Sequence, residues 1–405
     1  MKQLNRRQFL TATGVIGGIA ALSIPASKFI LNNFSNHSYP ASFLTQGFAV
    51  SNGPRELPTA PFFGAPRKDE HGSILIGNFA GTELKKFDVS FVGHQVIQSP
   101  TKLNQFFSVQ KWGRNAVAVD SLTDEAHYLQ LPPDHYFFGH GVFLPNGEHI
   151  LISVMDQKNM QGKLHIYDTK SLKLVEQYKT AGINPHDVQI SHNGQQLIVM
   201  HAGLPLNERN GRAPKSAITL ESCISKLSIS SGDLISQHVL DTGHRAYAHF
   251  LNLSDTDILC MGLSIADNYN EKNQPASLAY LSKNEVTNIM EDPLISEFIG
   301  EALSGRKLKN SDTAVVTLPE AQKIILVDLK NRSAILTLDA ISPRGIVEMP
   351  DANYLITQSA KEEKFLVYSQ QSKDLKALQK AFAHPGPLMK HWIATGAHMT
   401  EITWP

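Results

Sequence analysis

From about residue 71 onward, short apolar runs alternate with clusters of polar residues. The runs Ser73–Gly77, His149–Val154 and Gln196–Met200 have the length and the composition of β-strands. Asn-Gly, Gly-Asp and Ser/Asn/Asp clusters separate such runs, and these clusters favour tight turns. Long amphipathic helical patterns are nearly absent. The pattern therefore predicts an all-β fold.

One segment of this pattern occurs twice, with a spacing of 46 residues. Its first copy, Gly139–Gly147, reads Gly-His-Gly-Val-Phe-Leu-Pro-Asn-Gly, and its second, Pro185–Gly194, superposes on it with one additional residue before the final Asn-Gly. Each copy is followed by three further strands. Four strands per unit at this period are typical of a β-propeller blade.

Less faithful copies of the same opening occur elsewhere, at His94, His249 and Arg344. The last two lie 95 residues apart, about two periods, which predicts a degenerate copy near Leu303. At the chain ends, Thr82–Val89 belongs to a unit without an inner strand, and Gly396–Ile402 is an inner strand with nothing after it. Joining these halves removes a free sheet edge. We therefore predict a seven-bladed β-propeller closed by N- and C-terminal strands in one blade.

The first thirty residues resemble an export signal rather than part of the fold. Asn5-Arg6-Arg7-Gln8-Phe9-Leu10 is similar to the twin-arginine motif, and the weakly apolar run Thr11–Ala26 follows it. We expect a signal peptide at residues 1–30, an extended segment at 31–60 and the propeller at 61–405. The resemblance implies a periplasmic protein, in contact with a membrane only if the signal is retained.

The composition is that of a globular protein, with 42% hydrophobic and 18% charged residues. Lys plus Arg and Asp plus Glu number 37 each, so nucleic acid is not expected as a partner. Cys223 and Cys260 have no CxxC spacing, which leaves one disulfide or two buried thiols as alternatives.

The histidines of the repeat are the residues that suggest a binding site. Inner strands of a propeller begin at one mouth of the central channel, so the histidines at the strand openings should form a partial ring there. These are His94, His140, His186, His249 and His398, with Arg344 at the equivalent place in the seventh blade. Neutral imidazoles can ligate copper, iron or zinc. Asp187 can orient a ligand as a hydrogen-bond acceptor.

Two other interpretations of these openings stay open. The histidines can instead fix the loop before each inner strand by hydrogen bonds within their own blades, without a metal. Arg245 and Tyr136, which lie near the openings, together with Arg344 can bind an anionic ligand or cofactor, or serve ordinary loop packing.

The chain also resembles an exported family catalogued as domain of unknown function 1513, whose repeats are YVTN-like. The resemblance rests on Phe62–Gly64, Gly77–Phe79, Tyr136–Phe143, Gly182–His186 and His398. It implies a seven-bladed propeller, export, and association with envelope proteins of iron uptake. It implies no established reaction.

Three functions follow as expectations. The first is a periplasmic propeller that binds a ligand or a transition-metal ion at the histidine-lined mouth, in iron or other metal handling. The second is a non-catalytic interaction scaffold of the cell envelope. The third is a redox or hydrolytic enzyme, for which the sequence offers no GxSxG, HExxH, P-loop or Rossmann motif, so catalytic residues are not predicted.

Overall fold

The computed structural model describes residues 41–52, 71–80, 84–156, 158–159, 161–203, 221–242, 244–264, 275–358, 365–377 and 398–403. The predicted export signal lies outside these residues. The described part contains one short helix, α1 (Ala41–Thr45), one 3-10 turn (Ile289–Glu291) and otherwise strands. In this part, no helix is long and apolar enough to cross a bilayer. The prediction of an all-β fold is confirmed.

The first sheet joins the two ends of the described chain. It contains β1 (Gln46–Asn52), β2 (Gly72–Asn78), β3 (Leu84–Val89) and β28 (Met399–Thr403), in the order β28-β1-β2-β3. In the β1–β28 ladder, Gly47 faces Ile402 and Val50 faces Met399. Closure by strands from both ends is therefore present. Strand β1 lies inside the segment 31–60, which was expected to precede the propeller. The sequence showed no signal for this strand, because it is a single short run without the repeat motif.

The next sheet has eight strands. They are β4 (Gly93–Gln98), β5 (Gln105–Gly113), β6 (Ala116–Asp120), β7 (Ala126–Tyr128), β8 (His135–Phe143), β9 (His149–Asp156), β10 (Gln161–Asp168) and β11 (Leu174–Lys179). Two residue pairs, Lys111 with Phe138 and Gly113 with Phe137, connect β5 to β8 and so join two groups of four.

Four more sheets of four strands follow in chain order. The first two contain β12 (Pro185–Ile190), β13 (Gln196–His201), β14 (Glu221–Ser228), β15 (Leu234–Thr242), β16 (Arg245–Asn252), β17 (Asp257–Ser264), β18 (Ala276–Ser282) and β19 (Glu285–Asn288). The last two contain β20 (Ser304–Lys307), β21 (Thr313–Leu318), β22 (Lys323–Asp328), β23 (Ser333–Asp339), β24 (Pro343–Glu348), β25 (Asn353–Gln358), β26 (Phe365–Ser369) and β27 (Asp374–Ala377). The described strands thus form six continuous sheets, of which five have four strands.

Apolar layers between neighbouring sheets hold this arrangement together. Leu151 of β9 packs in one cluster with Val188 of β12, and Ile224 of β14 packs in another with Phe250 of β16. The last sheet packs back on the first, since Val347 and Phe48 share a cluster. Burial of apolar surface contributes about 25 cal/mol per Å². Sheets that pack face to face around a circle, with the last on the first, make the fold a β-propeller.

The two cysteines are free, buried thiols. Cys223 lies on β14 and Cys260 on β17, and they form no disulfide. The structure therefore decides between the two alternatives that the sequence left open.

Candidate functional site

Irregular hydrogen bonding marks the beginning of most inner strands. The β4 ladder shifts between Gly93 and Gln95, so that His94 falls in the break. The ladders of β8, β12 and β24 shift in the stretches that contain His140, His186 and Arg344. A bulge of this kind turns a side chain out of the alternating pattern of a strand. It directs these side chains toward the middle of the propeller.

The structure brings all five predicted histidines together. Their ring centroids are separated by 4.5 Å for His249 and His398, by 4.9 Å for His140 and His186, and by 6.1 Å for His94 and His249. His94, His140, His186 and His249 are buried, whereas His398 is half-buried. We refer to these five residues as the histidine cluster.

Four members of the cluster can share one metal ion. One ring nitrogen from each of His94, His140, His249 and His398 lies within 4.8 Å of the others. Imidazole nitrogens bind at about 2.0–2.1 Å, which puts tetrahedral ligand atoms roughly 3.3 Å apart. The rings must therefore move closer together wherever a separation exceeds this value. The residue type, burial and convergence therefore fit a transition-metal ion.

Several ring nitrogens of the cluster make no hydrogen bond. They are Nε2 of His94, both ring nitrogens of His140 and His249, and Nε2 of His398, all of them buried. A buried polar atom without a partner costs about 1–3 kcal/mol. Histidines that fix loops would use these atoms for hydrogen bonds. A metal ion would accept the lone pairs that the protein leaves unpaired.

A hydrogen bond holds one ring of the cluster, and a carboxylate lies beside another ring. The Oγ atom of Ser304 lies 3.0 Å from Nδ1 of His398, so Nε2 of that ring faces the cluster without a partner. Oδ1 of Asp187 lies 3.5 Å from Nδ1 of His140. Oδ2 of Asp187 accepts hydrogen bonds from the Phe250 amide and the Gln189 side chain. The sequence predicted Asp187 as an orienting acceptor, and the structure places it against His140.

Burial keeps the cluster neutral. It is the largest cause that holds the pKa of His94, His140 and His249 well below the usual value for histidine. Lys111, on β5, adds an electrostatic effect of the same sign. Neutral imidazole is the form that binds metals. Burial also raises the pKa of Asp187 to about 7.

Acidic residues occupy the place where the sequence predicted a degenerate opening near Leu303. Glu301 contacts the cluster, with Oε1 3.3 Å from Nε2 of His249, and burial raises its pKa to about 6. Its backbone N–H donates to Glu320, and both carboxylates interact electrostatically with Arg344. Sequence reasoning missed Glu301 because it is not a histidine and precedes its strand. The absence of a histidine at this opening was the available signal, although the opening at Arg344 also lacks one.

The three residues predicted to bind an anionic ligand or cofactor do not share one set of contacts. Arg344 lies beside the cluster, where it interacts electrostatically with His398. Arg245 instead pairs with Asp241 at 3.3 Å. The ring of Tyr136 lies 5.9 Å from the guanidinium of Arg114.

Solved structures resemble this chain in fold at low identity. Kuenenia stuttgartiensis hydrazine synthase matches with a TM-score of 0.55 and 10% identity, over 79% of this chain and 95% of that one. A functionally unknown protein from Desulfotomaculum acetoxidans matches with a TM-score of 0.46 and 13% identity, over 68% and 78% of the two chains. The β-propeller domain of Myceliophteria thermophila Cps50 (Swd1) matches with a TM-score of 0.44 and 13% identity, over 64% and 80%.

No curated protein matches the chain. A family described as protein of unknown function (DUF1513) matches residues 88–394, a range that includes the histidine cluster except His398. The match covers most of the chain and agrees with the resemblance carried by the histidine-bearing strand openings. The chain belongs to this family of unknown function.

Proposed function

We propose that this protein binds a divalent transition-metal ion at the histidine cluster and serves metal handling in the periplasm. The observation that carries the proposal is the approach of four ring nitrogens, within 4.8 Å of one another, from three buried histidines and one half-buried histidine. Three of these imidazoles, those of His94, His140 and His249, are held on three different strands, β4, β8 and β16, and this preorganises the site. No step of chemistry on a substrate is part of the proposal.

The interaction-scaffold alternative makes a different use of the same rings. If the histidines held loops, their nitrogens would bond to backbone or side-chain groups of their own blades. Both nitrogens of His140 and of His249 lack hydrogen bonds. This supports metal binding over a role confined to loop structure.

We also propose that the propeller has seven blades. The two halves of the eight-stranded sheet meet in only two residue pairs, and they pack face to face through a cluster that includes Phe107 and Ile152. Separate sheets of this fold pack in the same way. If each half counts as one blade, these two blades and the five four-stranded sheets make seven blades.

Export by the twin-arginine route fits a protein that loads its metal before it crosses the membrane. That route carries folded proteins, and a buried cluster made from distant strands exists only after folding. Its expected partners are envelope proteins of metal uptake, with which it would exchange the metal ion.

The test is the metal content of the protein purified after export by its own signal. Elemental analysis should find close to one transition-metal ion per chain in the wild type and far less in His140→Ala and in His249→Ala. His201→Gln is the matched control, because His201 is fully buried but lies outside the cluster. Equal metal contents in all four proteins, or none in the wild type, would overturn the proposal.

A further inference from the structure

Glu301 has the geometry of a ligand rather than of a hydrogen-bonding partner. Its Oε1 atom lies 3.3 Å from Nε2 of His249, yet neither atom makes a hydrogen bond. Charge-assisted hydrogen bonds are shorter, at about 2.7–2.9 Å. Two atoms bound side by side to one metal at 2.0–2.2 Å lie roughly 3.0–3.4 Å apart. The separation matches two ligands of one ion.

Asp187 provides a comparison inside the same site. Its Oδ1 atom approaches His140 at 3.5 Å, but the carboxylate is satisfied by hydrogen bonds to Phe250 and Gln189. The Oε1 atom of Glu301 is buried and has no such bonds. A buried carboxylate oxygen without a donor is costly, and Arg344 and Lys111 offset this cost only by electrostatic attraction, with no hydrogen bond to Oε1. The two carboxylates therefore have different roles.

The position of Glu301 along the chain supports this role. It lies three residues before Ser304, the first residue of β20, whose side chain contacts His398. β20 is an inner strand that brings no histidine to the cluster. Glu301 thus supplies an acidic member from one of the two sheets that bring no histidine to the cluster, the other being the sheet that carries Arg344.

We infer that Glu301 is a metal ligand, which reaches the ion from beside His249 and adds one carboxylate, from outside the group of four histidine nitrogens that lie within 4.8 Å of one another. This rests on the proposed function and specifies its metal. Tetrahedral structural zinc is satisfied by four ligands. Five mixed nitrogen and oxygen donors suit divalent ions of higher coordination number, in the manganese, iron and cobalt part of the series. The inferred occupant is an ion of this class.

Cobalt(II) is the probe, since its visible spectrum changes with coordination number and does not depend on any activity. Metal-free wild type, Glu301→Gln, Glu301→Ala and Asp156→Asn would be titrated with Co²⁺, after their thermal unfolding is compared. Glu301→Gln keeps the size of the side chain and so tests the ligand atom. Asp156→Asn removes a carboxylate charge that is also buried and also lies beside a histidine, His135, which is outside the cluster.

The expected result is a spectrum of five or six ligands in the wild type. Both Glu301 variants should bind Co²⁺ about 100-fold more weakly and give the stronger absorption of a four-coordinate ion. Asp156→Asn should keep the affinity and the spectrum of the wild type. Unchanged affinity and spectrum in folded Glu301→Gln, with binding still lost in His140→Ala, would overturn this inference alone. A wild type that binds no Co²⁺ would overturn the proposed function as well.

Discussion

The Oγ atom of Ser304 lies 3.0 Å from Nδ1 of His398, although 94 positions separate the two residues in the chain. Ser304 belongs to β20, and His398 precedes the strand that closes the first sheet. The contact fixes which nitrogen of His398 faces the cluster. It also ties the chain end to a sheet formed much earlier in the sequence.

Ser304→Ala should weaken metal binding without unfolding the protein. Loss of the hydroxyl frees the His398 ring to rotate, and loss of a group that orients a ligand costs about 10- to 100-fold in affinity. A competition titration with a chromogenic chelator measures the change. Ser225→Ala, a fully buried serine on β14, is the control and should bind as the wild type does. Equal affinities for both variants would show that Ser304 does not orient the ring.

Gly139→Ala should disturb the site through His94. A methyl group on Gly139 would lie 2.7 Å from Cβ and Cδ2 of His94, and Gly139 has φ of +96°. The His94 ring must move, so metal affinity should fall at least tenfold in addition to a loss of stability.

Gly194→Ala separates these two effects. Gly194 also has a positive φ, of +72°, but nothing lies within 4 Å of an added methyl group. It should lose about 1–2 kcal/mol of stability from backbone strain alone and keep the affinity of the wild type. Thermal unfolding and the same chelator titration measure both quantities. Parallel losses of affinity in the two variants would contradict the role given to Gly139.

The free energy of unfolding should decrease as the pH is lowered, and His201 should account for part of this decrease. Burial lowers the pKa of this fully buried histidine to about 4 in the folded chain. The unfolded chain therefore binds a proton at this residue near pH 6.5, whereas the folded chain binds it only near pH 4. The contribution is present above pH 6.5 and is lost as the pH falls toward 4, at a cost of about 3 kcal/mol. Urea unfolding of His201→Gln between pH 7 and pH 4.5 should show a flatter profile than the wild type. Identical slopes would contradict this assignment.

Export should depend on Arg6 and Arg7. Changing both to Lys keeps the charge but removes the paired guanidinium groups of the motif, so the protein should stay in the cytoplasm of a Gram-negative host. Cell fractionation followed by immunoblotting measures this. Lys2→Arg is the control and should be exported normally. Export of the double Lys variant at the level of the wild type would rule out this signal.

The 46-residue spacing of His94, His140 and His186 was enough to predict that these side chains occur at equivalent points of a repeated unit. Equivalent points of a propeller repeat lie at the same distance from its axis, so their convergence follows from the repeat. His249 and His398 could be added because their surroundings keep the same pattern. Arg245 and Tyr136 lie close in sequence to such openings but contact other groups, because proximity along a strand does not set the direction of a side chain.

The sequence by itself determined the all-β class, the blade repeat, the closure of the first sheet from both chain ends and the histidines of the cluster. Each of these depends on a pattern that recurs along the chain. Only the tertiary structure decided that β1 completes the closing sheet, that Glu301 and Ser304 meet the cluster, and that Asp187 lies beside His140. These are contacts between residues far apart in sequence, made through irregular strand openings, and no local pattern encodes which distant side chain an opening will meet.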